Sequence, residues 1–165
     1  MLPSLLLITE NPSVRYFFKK NLESQFNLIE AAREHTALQE LSSSQLEFVV
    51  IDSHLEFSDA LDLARKLRNK DLLIPILLIT GRLKKSFRDT ALDAGVTDFL
   101  HDQLDLDELE TRIAILRKAK ESRKKTTEFS QQIPQKPSVE KSLSKRKLTP
   151  SKKELPISFK KKKGL

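Results

Sequence analysis

Apolar residues in the first 120 positions follow two alternating rhythms. Short, nearly unbroken runs of Leu, Ile, Val and Phe predict strands over 5–9, 27–31, 47–52, 74–80 and 97–101. The first, third and fourth runs are continuous enough for strands buried on both faces. Between them, apolar residues recur every three or four positions, which is the period of an amphipathic helix. Asn11 followed by Pro12 gives an N-cap and a first-turn proline for a helix with Val14, Phe17, Phe18 and Leu22 on its inner face. Ser58 is a candidate cap for a helix burying Leu61, Ala64 and Leu67. Asp105, with Glu108 three residues on, has the spacing of a capping box and opens a last helix with Leu106, Leu109, Ile113 and Leu116 on one stripe. Weaker helical patterns cover 34–41 and 84–94, the second stopped by Gly95.

Five βα repeats predict an α/β fold, a doubly wound five-stranded parallel sheet with helices on both faces and right-handed crossovers. In the order 2-1-3-4-5, strands one, three and four end side by side at the switch point where sites in such folds form. That placement singles out Thr9, Glu10, Asp52, Thr80 and Gly81.

Charge divides the chain. The net charge is +7, yet residues 121–165 carry 14 Lys/Arg against 4 Asp/Glu, so residues 1–120 are mildly acidic. Helical periodicity ends near 122, and Lys, Ser, Thr, Gln and Pro dominate afterwards, the composition expected of a disordered basic tail over 123–165. Its clusters, Lys145, Arg146 and Lys147, then Lys152 and Lys153, then Lys160, Lys161, Lys162 and Lys163, suit nonspecific, salt-sensitive binding of a polyanion. Phe129 and Phe159 are the tail's only aromatic residues, too few for sequence-specific stacking. A solvated tail, or one docked on an acidic protein, is the alternative. Any nucleic-acid contact is expected from this tail.

The longest apolar run, 72–79, is far short of a membrane span, and Met1–Ile8 lacks the basic start of a signal peptide. The absence of cysteine excludes disulfides and thiolate metal sites and fits a cytoplasmic protein. His35, His54 and His101 show no metal-ligand spacing and read as surface or loop residues. No nucleophile triad, glycine-rich phosphate loop or dinucleotide fingerprint is present, and no catalytic residue is assigned. The expected function is non-enzymatic.

Four stretches in order, LLLITENPSVR at 5–15, FVVIDSHLEFSDALDLARKLR at 48–68, IPILLITGR at 74–82, and ALDAGVTDFL at 91–100 followed by DLDEL, resemble the receiver domains of bacterial two-component response regulators. The resemblance places a receiver-like domain at 1–122. It implies an acidic pair after the first strand that holds magnesium together with a phosphoryl-accepting aspartate. It also implies a hydroxyl residue on the fourth strand and a lysine after the fifth that stabilise the phosphoryl charge. Carried onto this chain, Asp52 stands at the acceptor position, Glu10 at the second acidic position, Thr80 at the hydroxyl position and Phe99 at the aromatic switch position. Thr9 replaces the first acid, Asp102 the lysine and Gln103 the proline after it; Glu56 and Ala60 also depart from the pattern, whereas Leu55, Asp59 and Leu61 keep it.

Replacing the lysine by Asp102 turns attraction for an aspartyl phosphate into repulsion. Losing one acidic ligand weakens a magnesium site left with Glu10 and Asp52. The resulting reading is a pseudo-receiver: a signalling module that binds a protein partner, or itself, without phosphorylation, through its last two helices and fifth strand, as the family suggests. The alternatives are an orthodox phosphorelay receiver using Asp52, and a nucleic-acid-binding protein acting through its tail. Simpler roles also stand beside the family's: Asp52 as a turn cap, Glu10 as a solvated loop acid, Thr80 and Gly81 as a turn, and Phe99 as core packing. Glu10, Asp52 and Asp102 could together hold a divalent ion, or instead repel one another and stay exposed.

Overall fold

The structure is a computed structural model that describes residues 1–131 apart from Phe57 and Leu83. Its elements run β1 (Ser4–Ile8), α1 (Pro12–Leu22), β2 (Asn27–Ala31), α2 (Glu34–Ser43), β3 (Leu46–Asp52), α3 (Ala60–Lys70), β4 (Ile76–Ile79), α4 (Lys85–Asp93), β5 (Asp98–Leu100) and α5 (Leu106–Gln131). The five strands form one parallel sheet in the order β2-β1-β3-β4-β5, as the alternation predicts.

Because strand side chains alternate between faces, β1 divides its residues between two cores. Leu5 and Leu7 join Phe48, Val50, Leu77 and Ile79 under α1 and α5, which contribute Val14, Phe18, Leu22, Leu109, Ile113 and Leu116. Leu6 and Ile8 join Val49, Ile51, Ile76 and Leu78 on the other face, covered by Ala37 of α2, the Ala60–Leu67 side of α3 and Ala91 of α4. Both faces of the central strands are therefore buried, which explains why their sequences are apolar without a break.

Local signals fix most helix ends. Asn11 accepts from Ser13 N–H at 2.9 Å with Pro12 in the first turn, and Asp105 accepts from Glu108 N–H at 2.9 Å. At α3 the expected cap is displaced by one residue. Asp59, not Ser58, accepts from the N–H groups of Leu61 and Asp62, both at 2.9 Å, while Ser58 donates to Glu34 at 3.2 Å. A carboxylate satisfies two free N–H groups more strongly than a hydroxyl does, and it also suits the positive end of the helix dipole. The inner face consequently turns to Ala60, Leu63, Ala64 and Leu67, leaving Leu61 partly buried. At the end of α4, Gly95 has φ +99° and lets Val96 N–H reach back to Ala91 O at 3.0 Å.

Two boundaries differ from the sequence pattern. Strand β4 starts at Ile76 because Pro75 has no N–H to give the ladder, although its carbonyl still accepts from Val49 N–H at 2.9 Å. Helix α5 continues past 122 to Gln131. Arg123, Lys124, Lys125 and Glu128 favour a helix there and no proline comes before Pro134, so the backbone stays helical although the apolar stripe has ended. The basic clusters from Lys145 to Lys163 lie outside the described residues. Among the described residues no helix is long and apolar enough to cross a membrane.

Candidate functional site

The strand order brings the ends of β1, β3 and β4 together, and each end places one buried polar residue there. Thr9, Asp52 and Thr80 are the only buried polar side chains among the described residues, at 1%, 1% and 0% exposure. In an otherwise apolar core each needs a hydrogen-bond partner. Thr9 Oγ1 donates to Asp52 Oδ2 at 2.8 Å and accepts from Asn11 N–H at 3.0 Å. The other oxygen, Asp52 Oδ1, accepts from His54 N–H at 2.9 Å and lies 3.3 Å from His54 Nδ1. Thr80 Oγ1 accepts from Arg82 N–H at 3.0 Å.

The turn-capping role of Asp52 is thus realised through His54 N–H, and both of its oxygens are engaged. His54 is a pocket residue that the sequence reading left on the surface. Its ring is indeed exposed, but its position two residues after a strand-ending aspartate is the spacing of an Asx turn, and that signal was available in the chain.

Asn11, Val14, Asp52, His54, Ile79, Asp102 and Gln103 line a cleft of about 440 Å³ over this cluster. Asp102 therefore faces the same space as Asp52. Its carboxylate also lies against the turn after β4, where a side chain at Gly81 would collide with it, so Gly81 is what lets Asp102 sit there. Gln103 N–H donates to His101 Nδ1 at 3.0 Å, and Asp102 Oδ1 lies 3.2 Å from the same nitrogen. Glu10 points elsewhere: its Oε2 accepts from Glu56 N–H at 2.9 Å and ties the loop after β1 to the loop after β3. Phe99 is 5% exposed and packs in the α2–α4 core, with the Arg88 guanidinium 4.8 Å above its ring.

A model of the response regulator receiver domain family matches residues 5–114, two-thirds of the chain and all five strands. This chain belongs to that family. Response regulator protein PmrA of Pseudomonas aeruginosa is 40% identical over 76 residues, covering 46% of this chain and 34% of the relative. Response regulator MprA of Mycobacterium ulcerans is 31% identical over 118 residues, covering 70% of this chain and 51% of the relative. The chain thus spans about half the length of such relatives, or less. In fold it is similar to the signal receiver domain of an HD domain-containing protein from Pseudomonas fluorescens, with a TM-score of 0.68 at 20% identity over 75% of this chain and 93% of that one. Membership gives the domain a signalling role.

The magnesium implied by the family can be tested against the residues present. Where the family has a carboxylate, Thr9 offers a hydroxyl whose proton is committed to Asp52, and Glu10 is committed to Glu56 N–H. Among the described residues no three His, Asp or Glu groups stand so as to share a metal ion. Glu10, Asp52 and Asp102 do not converge, and the donor set does not fit a receiver-type magnesium site.

Proposed function

We propose that this receiver domain signals by protein contact without phosphorylation of Asp52. The observation that carries this reading is the hydrogen bond from Thr9 Oγ1 to Asp52 Oδ2 at 2.8 Å, beneath a cleft that also holds Asp102. Phosphoryl transfer depends on positioning the acceptor and neutralising the incoming charge. Here the acceptor oxygens are occupied by protein donors, and the residue in the lysine position carries a negative charge that repels a phosphoryl group.

The family suggests α4, β5 and α5 as the docking surface for a partner or a second copy, and Leu92 on α4 and Ile115 on α5 are exposed apolar residues of those helices. In this reading Thr80 and Phe99, the two switch positions, serve the packed state: one closes a turn and the other fills the core. The basic residues from Lys145 to Lys163 add polyanion binding by charge, and the protein works in the cytoplasm.

The test is intact mass spectrometry after incubation with magnesium and acetyl phosphate, with Asp52→Asn alongside. An unchanged mass is the expected result. Stoichiometric modification that Asp52→Asn abolishes would overturn this reading and return the protein to an orthodox phosphorelay. Partner capture should survive Asp52→Asn.

A further inference from the structure

The loop after β4 and the first turn of α4 read Arg82-Leu83-Lys84-Lys85-Ser86-Phe87-Arg88, four cations with no carboxylate between them. All four charged side chains are exposed. Elsewhere on the described surface some cations meet acids: Lys66 meets Glu34 and Asp62, Arg112 meets Asp98 and Glu108, and Arg117 meets Glu47. Among the described residues no carboxylate lies within ion-pair distance of Arg82, Lys84, Lys85 or Arg88, and Asp89 and Asp93 farther along α4 are exposed and unpaired with them.

The two arginines are held in place by aromatic rings rather than by acids. Arg82 lies 5.6 Å from the centre of the Phe87 ring, and Arg88 lies 4.8 Å from that of Phe99. Stacking fixes a guanidinium while leaving its charge uncancelled and its edge free to donate. Lys84 and Arg88 are four apart on the helix, and Lys85 is three from Arg88, so the cations share one side of its first turns. Helix α4 also begins without a side-chain cap and without an acid in its first turn, so the positive end of its dipole adds to the same field.

We infer that this cationic face of the folded domain binds the phosphate backbone of nucleic acid. Charge complementarity selects a polyanion. The face carries four cations and the uncapped N–H groups at the start of α4, with its one described aromatic residue, Phe87, half-buried beneath Arg82, and the exposed Asp89 and Leu92 lie farther along the helix. That composition suits phosphates, whereas a protein interface gains its affinity from a desolvated apolar centre. The folded domain therefore supplies phosphate contacts of its own, in addition to any made by the tail.

The test uses the full chain and a fluorescent DNA duplex, with affinity measured by anisotropy across a salt series. Lys84→Gln with Lys85→Gln removes two cations of the face. Lys19→Gln with Lys20→Gln removes two exposed cations from α1, beside Glu23, and leaves net charge matched. The loop variant is expected to lower the slope of log affinity against log salt by about two, as for two lost phosphate contacts, while the α1 variant keeps the native slope. Equal slopes for the two variants, or no change in either, would overturn the inference by reducing it to bulk charge or to none. Competition by poly-L-glutamate as effective as by duplex would also overturn it, assigning the face to acidic protein segments instead.

Discussion

Thr9 and Asp102 act on Asp52 by different physical means. Thr9 donates a hydrogen bond to Asp52 Oδ2 at 2.8 Å, and Asp102 adds like charge to the cleft that Asp52 lines. Reversing both should restore what the pocket lacks. Thr9→Asp supplies a second carboxylate beside Glu10, and Asp102→Lys supplies a cation for the phosphoryl oxygens. The double variant should accept phosphate from acetyl phosphate with magnesium at a rate higher by on the order of a hundredfold, the scale on which one charge-stabilising group acts. Intact mass against time would measure it, and a gain that persists in an Asp52→Asn background would refute the assignment of the acceptor. The sequence made these exchanges visible through its resemblance to receiver domains. It could not show that Thr9 donates to Asp52, or that Glu10 turns away to Glu56, since those contacts depend on how neighbouring loops fold over the sheet edge.

At the scale of elements, the helices hold one another through polar ends as well as apolar faces. Asp59 caps α3 with two hydrogen bonds, so Asp59→Ala should cost about 1 kcal/mol in urea denaturation. Ser58→Ala should leave the helix start intact, contrary to what the sequence pattern alone suggests. Helix α2 is tied to α3 by Glu34, which accepts from Lys66 Nζ at 2.7 Å and from Ser58 Oγ at 3.2 Å. The hydrogen bond from Lys66 holds the Glu34 carboxyl below the usual carboxylate range, against the opposing effect of its partial burial, and the same bond holds the Lys66 ammonium above its usual value. The carboxyl's contribution is therefore present above its unfolded value and lost as pH falls through its lowered native one. The ammonium's contribution is complete below its unfolded value and lost as pH rises through its raised native one. The tie thus acts across the neutral range. Melting temperatures of the native protein and Glu34→Gln should differ slightly at neutral pH and converge on acidification through the carboxylate range, because the pair is largely exposed. A difference that grows on acidification would show that the tie is not electrostatic.

For the whole molecule, one sheet separates two cores, and its strands contribute to both. Truncating either core should consequently unfold the other with it. Phe48→Ala and Leu63→Ala, each fully buried and on opposite faces, should cost about 3–5 and 2–5 kcal/mol, with one transition at an unchanged denaturant slope. Separate transitions for the two faces would contradict a shared sheet. By itself the sequence determined the five βα repeats and the residues at the strand ends, because burial on both faces, helical periodicity and capping are written in local residue order. It determined the division of charge along the chain in the same way. Only the tertiary structure decided which cap holds α3 and that His54 closes on Asp52. It also decided that Asp102 leans over Gly81 into the cleft, and that Arg82 and Arg88 rest on aromatic rings with their charges unpaired. Those outcomes turn on distances of a few ångströms between side chains from different loops. A competition among nearby donors, acceptors and charges sets such distances only once the sheet has brought them together.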